Sequence, residues 1–197
     1  NENNFCFYIY FLLNPKEVSF LPDIPLLPNH TTQDRFLSAL FLLMEHKEYH
    51  EISIVDIYKE AELSRKTFYH YFKHKDDLLD YLAQIICLCY SRTDDRSGHY
   101  HYFNFFYHMQ NSVRLLLKND LWYDVTQRTM RQYEDLLYPH DWEKALGDQI
   151  DKKEWFLEFM SYGSARLVEL WCKNGFQDPP EKLSSLVEKI QSGSLVI

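Results

Sequence analysis

The sequence predicts an all-α protein, and three observations carry that prediction. Apolar residues recur at three- and four-residue spacing almost without interruption from Thr31 onward, the period of a helix with one buried face. Only five glycines occur in 197 residues, against 15 tyrosines and 14 phenylalanines, a composition that favours packed helices over many-turned sheets. Beyond residue 30, Pro139, Gly147, Gly175, Pro179 and Pro180 stand at or near the edges of the periodic runs, as breakers should. With 46% hydrophobic and 25% charged residues the composition is that of a globular protein. A chain of this length buries roughly 70% of its unfolded surface, so it needs no metal or disulfide staple.

The elements follow in order. Four of the seven prolines (Pro15, Pro22, Pro25, Pro28) lie in residues 1 to 30, so this stretch reads as an extended arm, docked through its apolar head Phe5 to Phe11 or disordered. Thr31 with Asp34 is a capping box that opens a first helix carrying Phe36, Leu37, Leu40, Leu43 and Met44 and ending near Lys47. Ser53 with Asp56 opens a second, over Val55, Ile57, Tyr58 and Ala61. Ser64 caps a third from Arg65 to Tyr71, and a fourth runs from Lys75 to Tyr90 with Leu78, Leu79, Leu82, Ile85, Ile86 and Leu88 inward. The polar run Ser91 to Gly98 marks a boundary, giving domains at 31–90 and 98–197. In the second, helices are expected at 100–118, 121–137, 141–148, 151–174 and 180–191, punctuated by Pro139, Gly147, Gly175, Pro179 and Pro180.

The second and third helices are separated only by Glu62 and Leu63. A turn that short forces a steep crossing, the helix-turn-helix arrangement, in which the second helix is presented outward for the DNA major groove. Charge agrees with this reading. The whole chain carries a formal −8 and would be repelled by nucleic acid, yet Ser64 to Lys75 holds Arg65, Lys66, Lys73 and Lys75 and no acid. Arg65 and Lys66 can donate to guanine edges, Tyr69 and His70 offer apolar surface and hydrogen bonds, and Thr67 and Tyr71 can reach phosphates. Lys75 at the opening of a helix, and Ser53 at the opening of another, sit where an anion is favoured. The plainer reading of the same residues is a solvated charged face between core helices.

Three runs make the resemblance specific: Ile52-Ser-Ile-Val-Asp-Ile57, Ala61-Glu-Leu-Ser-Arg-Lys-Thr-Phe-Tyr-His-Tyr-Phe72 and Lys75-Asp-Asp-Leu-Leu79. Together they resemble the DNA-binding domain of the tetracycline-repressor family over about residues 33 to 82. Phe159, Gly163, Leu167, Trp171, Gly175 and Pro179, four apart, are similar to the C-terminal region of a subgroup that includes an activator of dihydroxyacetone-kinase genes. The resemblance implies a homodimer whose two recognition helices read a palindromic double-stranded operator, with the C-terminal half supplying the dimer interface and, in many members, a pocket for a small effector. Carried over by position, the base readers are Arg65, Lys66, Tyr69 and His70, and the phosphate contacts Ser53, Thr67, Tyr71 and Lys75. One position departs: many members have glycine where this chain has Glu62, which is strained if φ there is positive.

For the dimer, the helix expected at 151–174 places Trp155, Phe159, Gly163, Leu167 and Trp171 along one drifting stripe, with the small run Gly163, Ser164, Ala165 permitting close approach of a second helix. With the helix at 180–191 and its two-fold mate this makes a four-helix interface. His99, His101 and His108 lie among Tyr100, Tyr102, Phe103, Phe105, Phe106 and Tyr107, a stripe that suits either a core or a pocket for an apolar or planar effector. His70 and His74 have metal-ligand spacing but no third ligand nearby, so no metal and no cofactor is expected. No nucleophile–base pair has a local signature, which makes an enzyme a distant alternative, beside a helical interaction scaffold without DNA binding. Cysteines 6, 87, 89 and 172 show no framework spacing and read as reduced thiols. The longest apolar run, Phe5 to Leu13, is too short to span a bilayer, so a cytoplasmic protein with no membrane partner is expected.

Overall fold

The computed structural model describes residues 31–90, 98–137 and 146–194. The proline-rich arm, the polar run after Ser91 and most of the helix expected at 141–148 lie outside the described residues. Among the described residues all regular structure is helical. The chain divides after Lys75 into two compact units, earlier than the boundary expected at residue 91. The fourth helix groups with the second unit because its apolar side lies against helices of that unit.

The first unit holds α1 (Thr32–His46), a 3-10 turn (Tyr49–Glu51), α2 (Ile54–Glu60) and α3 (Arg65–Tyr71). The expected capping box closes α1: Thr31 Oγ1 accepts from the Asp34 amide at 3.0 Å, and Asp34 Oδ2 accepts from the Thr31 amide at 3.0 Å. Its inner face buries Phe36, Leu37, Leu40, Phe41 and Met44. Phe36 is the keystone. The rings of Phe68 and Phe72 meet it edge-on, with centroids 5.2 and 6.0 Å away, and Ile57 of α2 is fully buried in the same unit. Burying the rings of Phe36, Phe68 and Phe72 stabilises the unit by roughly 2 kcal/mol each, enough to fix two helices too short to be stable alone.

The second unit contains α4 (Asp77–Tyr90), α5 (Gly98–His108), α6 (Gln110–Lys118), α7 (Trp122–Leu137), a 3-10 turn (Gly147–Lys152), α8 (Lys153–Lys173) and α9 (Pro180–Gln191). Helix α4 lies against α7 and α5, α7 against α8, and α9 against α5. The single helix expected at 100–118 is two. Met109 leaves helical geometry at φ −114°, ψ 29°, which re-aims α6 so that Ser112, Val113, Leu115 and Leu116 point inward. The aromatic stripe of α5 is core. Phe106 meets Trp122 edge-on at 4.9 Å, Phe103 meets Trp171 at 6.1 Å, and Tyr107 stacks on Trp171 at 5.7 Å. These rings fill much of one another's space. Trp122 also donates its indole N–H to the Ala165 carbonyl at 3.0 Å, pinning α7 to α8. No described helix is long and apolar enough to cross a membrane.

Candidate nucleic-acid interface

The turn between α2 and α3 is built from the backbone outward. Glu62 lies in the left-handed region at φ 53°. Its amide donates to Lys59 O at 3.0 Å, and the Leu63 amide donates to Tyr58 O at 2.9 Å, the double closure of a Schellman ending. A third donor comes from α1: Arg35 Nη2 reaches the Ala61 carbonyl at 2.6 Å. Ser64 then starts α3, its hydroxyl accepting from the Thr67 amide at 3.0 Å. The chain thus stops one helix and starts the next within the four residues Ala61 to Ser64.

Helical periodicity does the rest. Phe68 and Phe72 are buried on Phe36, so Arg65, Lys66, Tyr69 and His70 must face away, and all four are exposed. Arg65 and Tyr69, one turn apart, are joined: the guanidinium carbon lies 5.5 Å from the ring centroid, a cation–π arrangement. His70 meets Tyr71 edge-on at 4.8 Å. The four residues expected to read bases therefore form one outward face, partly pre-ordered by its own ring contacts.

The four residues expected to hold phosphates are placed less alike. Tyr71 is exposed. Thr67 is half-buried and shares a 2.7 Å hydroxyl–hydroxyl hydrogen bond with Ser64. Ser53 closes the N-terminus of α2 in a capping box. Its hydroxyl donates to Asp56 Oδ2 at 2.7 Å while accepting from the Asp56 amide at 3.1 Å, and these bonds to Ser53 hold the Asp56 carboxyl below its ordinary range. Lys75 points back into the protein. Its Nζ donates to Tyr49 O at 2.5 Å and Ile52 O at 2.9 Å and lies 4.0 Å from the Tyr49 ring centroid. Sequence reasoning missed Arg35 and Tyr49, each 26 residues from the group it serves, because no local window contains both partners.

In the second unit the expected dimer stripe splits. Trp155 and Phe159 are 70% and 73% exposed, Gly163 is exposed and Leu167 half-buried. Trp171 is buried, its indole N–H donating to Asp178 O at 2.9 Å. The reason is angular: a four-residue step overshoots one turn by about 40°, so four steps carry Trp171 roughly 160° from Trp155. The apolar face that stays in solvent runs instead through Trp155, Phe159, Tyr162 and Leu170 of α8, and Leu186 and Ile190 of α9 are exposed as well. Among the described residues no group of three or more His, Cys, Asp or Glu is placed to hold a metal ion.

Comparison with known proteins agrees with this geometry. Residues 36–82 match the family model described as bacterial regulatory proteins, tetR family. Residues 96–193 match that of a transcriptional regulator C-terminal region, and the two together cover about three quarters of the chain. The chain is also similar to the HTH-type dhaKLM operon transcriptional activator DhaS of Lactococcus lactis subsp. lactis (strain IL1403), with 27% identity over 136 residues. That match spans 63% of this chain and 65% of the relative, just under two thirds of its length. A helix-turn-helix with an acid-free outward face, joined to a regulator's C-terminal region, places the chain in the tetR family of bacterial regulatory proteins.

Proposed function

We propose that this protein binds a palindromic operator as a homodimer and thereby controls transcription of the genes beside it. The observation that carries the reading is the face of α3. Arg65, Lys66, Tyr69 and His70 stand together in solvent opposite the buried Phe68, in a segment without acids on a chain of net charge −8. Such concentration of donors suits base edges in a major groove. Tyr71 and Thr67 flank that face and supply contacts to the phosphates beside it. The exposed apolar face of α8 and α9 supports the dimer, since two copies related by a two-fold axis would cover it and bring two recognition helices to two half-sites.

An effector for the second unit is a separate question of chemistry. The aromatic stripe of α5 is occupied by its own rings, which argues against a planar apolar ligand there. Between α7 and α8 lies a half-open cleft of about 260 Å³ lined by Met130, Arg131, Lys153, Glu154, Leu157 and Glu158, whose mixed charges suit a small polar molecule.

Selection of bound fragments from a bacterial genome that encodes this chain tests the proposal. The expected result is enrichment of a short inverted repeat, bound by two chains per duplex. Enrichment of no common sequence would overturn operator recognition, and a stoichiometry of one chain per repeat would overturn the dimer.

A further inference from the structure

Lys75 stands where a phosphate contact is expected, but its side chain is arranged for a different task. Two of the three protons on its ammonium are donated to main-chain carbonyls, those of Tyr49 and Ile52, at 2.5 and 2.9 Å. The charge lies on the face of the Tyr49 ring, 4.0 Å from the centroid. An ammonium held by two carbonyl dipoles and a ring quadrupole has exchanged most of its hydration for protein groups. Turning out to a phosphate would break both hydrogen bonds and leave two carbonyls of a short turn without this donor.

What those carbonyls belong to gives the arrangement its meaning. Tyr49 opens the 3-10 turn and Ile52 follows it directly, one residue before Ser53, the N-cap of α2. Lys75 follows α3 by four residues. A single side chain therefore ties the segment leaving the recognition helix to the segment entering the helix before it. Another long-range tie within this unit, Arg35 to the Ala61 carbonyl at 2.6 Å, holds the opposite end of α2. Both ends of α2 are anchored by a cation on a carbonyl.

We infer that Lys75 is a positioning residue and not a phosphate clamp: it sets the distance between the start of α2 and the end of α3, and so the docking of α3 on DNA. This rests on the DNA-binding reading above. Its consequence differs from that of a clamp in kind. A clamp releases counterions, and its loss lowers the slope of log affinity against log salt by about 0.9 per contact. A strut changes the energy of presenting the interface, which weakens every duplex alike and leaves the number of released ions unaltered.

The experiment uses the full chain, its Lys75→Met variant, which keeps the apolar stem and removes the charge, and its Tyr49→Leu variant, which keeps every cation. Affinity is measured against salt on the selected operator and on a scrambled duplex. For Lys75→Met the expected result is an affinity loss of about tenfold on both duplexes with the salt slope unchanged. Tyr49→Leu should weaken binding in the same way, by about threefold, because the ammonium loses its ring. A clamp, present twice in a dimer, predicts a slope lower by about 1.8 for Lys75→Met, and it predicts unchanged or tighter binding for Tyr49→Leu, whose ammonium is released. Either result would overturn the inference. Hydrogen exchange without DNA separates it from the reading it rests on. The Glu51 and Ile52 amides, bonded to Glu48 O and Tyr49 O at 3.0 and 3.2 Å, should exchange faster in both variants while those inside α1 do not. Unchanged exchange at these amides overturns the strut whether or not the chain binds DNA, and absent DNA binding by the unmodified chain overturns the operator reading alone.

Discussion

Glu62 carries a backbone cost that a different side chain would remove. At φ 53° its Cβ crowds the neighbouring carbonyl, a strain of about 1 to 2 kcal/mol that glycine escapes, offset in part by the greater freedom of glycine in the unfolded chain. Glu62→Gly should therefore stabilise the first unit by about 0.5 to 1 kcal/mol, read as a higher denaturant midpoint at unchanged slope. Loss of stability would show that the Glu62 side chain does something its geometry does not reveal. This strain was readable in the sequence, because a two-residue turn between capped helices leaves few conformations to choose from. The caps at Thr31, Ser53 and Ser64 were readable for the same reason: each partner lies three residues away. The roles of Tyr49 and Arg35 were not, since their partners are brought near only by the packing of Phe36 on Phe68 and Phe72.

Helices α7 and α8 are joined by polar groups that give the second unit its own acid response. Glu169 of α8 accepts from Tyr123 Oη at 2.5 Å and from Lys173 at 2.7 Å, and pairs with Arg166 at 2.6 Å. These donors, Arg166 first, hold its carboxyl down at about 2. A carboxylate depressed on folding stabilises the native state above its unfolded value near 4.5 and ceases to as pH falls toward 2. Glu169→Gln should cost about 1 to 3 kcal/mol at neutral pH, and the penalty should shrink in acid melts below pH 4. A penalty independent of pH would mean that packing and not charge holds the joint. His99 of α5 acts in a higher window. Burial lowers its pKa, against the opposing charge of Glu188 on α9, so the contribution of a neutral imidazole is complete above about 6.5 and declines as pH falls below it. His99→Gln should flatten the thermal midpoint between pH 7 and pH 5; a profile identical to that of the parent chain would refute this. The breaks between these helices were only partly readable. Gly175, at φ 69°, announces the end of α8, whereas Met109 interrupts α5 and α6 with an apolar residue that any periodicity count continues through.

The whole molecule joins a reading head to a body that carries most of its negative charge, and this division sets what assembly must achieve. A single short recognition helix on a chain of net −8 gains little from general electrostatic attraction, and the proposed dimer would offset this by placing two heads on one duplex. The face of Trp155, Phe159, Tyr162 and Leu170 with Leu186 and Ile190 is where the proposed dimer forms. Exposed aromatics of this kind are the usual centres of binding energy, about 2 kcal/mol or more each. Phe159→Asp should produce a monomer in sedimentation at micromolar concentration and reduce operator affinity at least tenfold; an unchanged dimer would move the interface elsewhere. A strict four-residue step drifts around the helix, so the stripe that begins at exposed Trp155 ends at buried Trp171.

Sequence recognition by α3 is the property on which regulation depends. Replacing Arg65 with Ala removes the donor that stacks on Tyr69 without touching the buried Phe68. Titrating the parent chain and this variant against the selected operator and a scrambled duplex, at matched salt, is the most direct measurement. The expected result is a loss of about 1 to 3 kcal/mol on the operator and little on the scrambled duplex, so that discrimination collapses. Equal losses on both duplexes, or an operator preference untouched by the substitution, would contradict recognition through this helix.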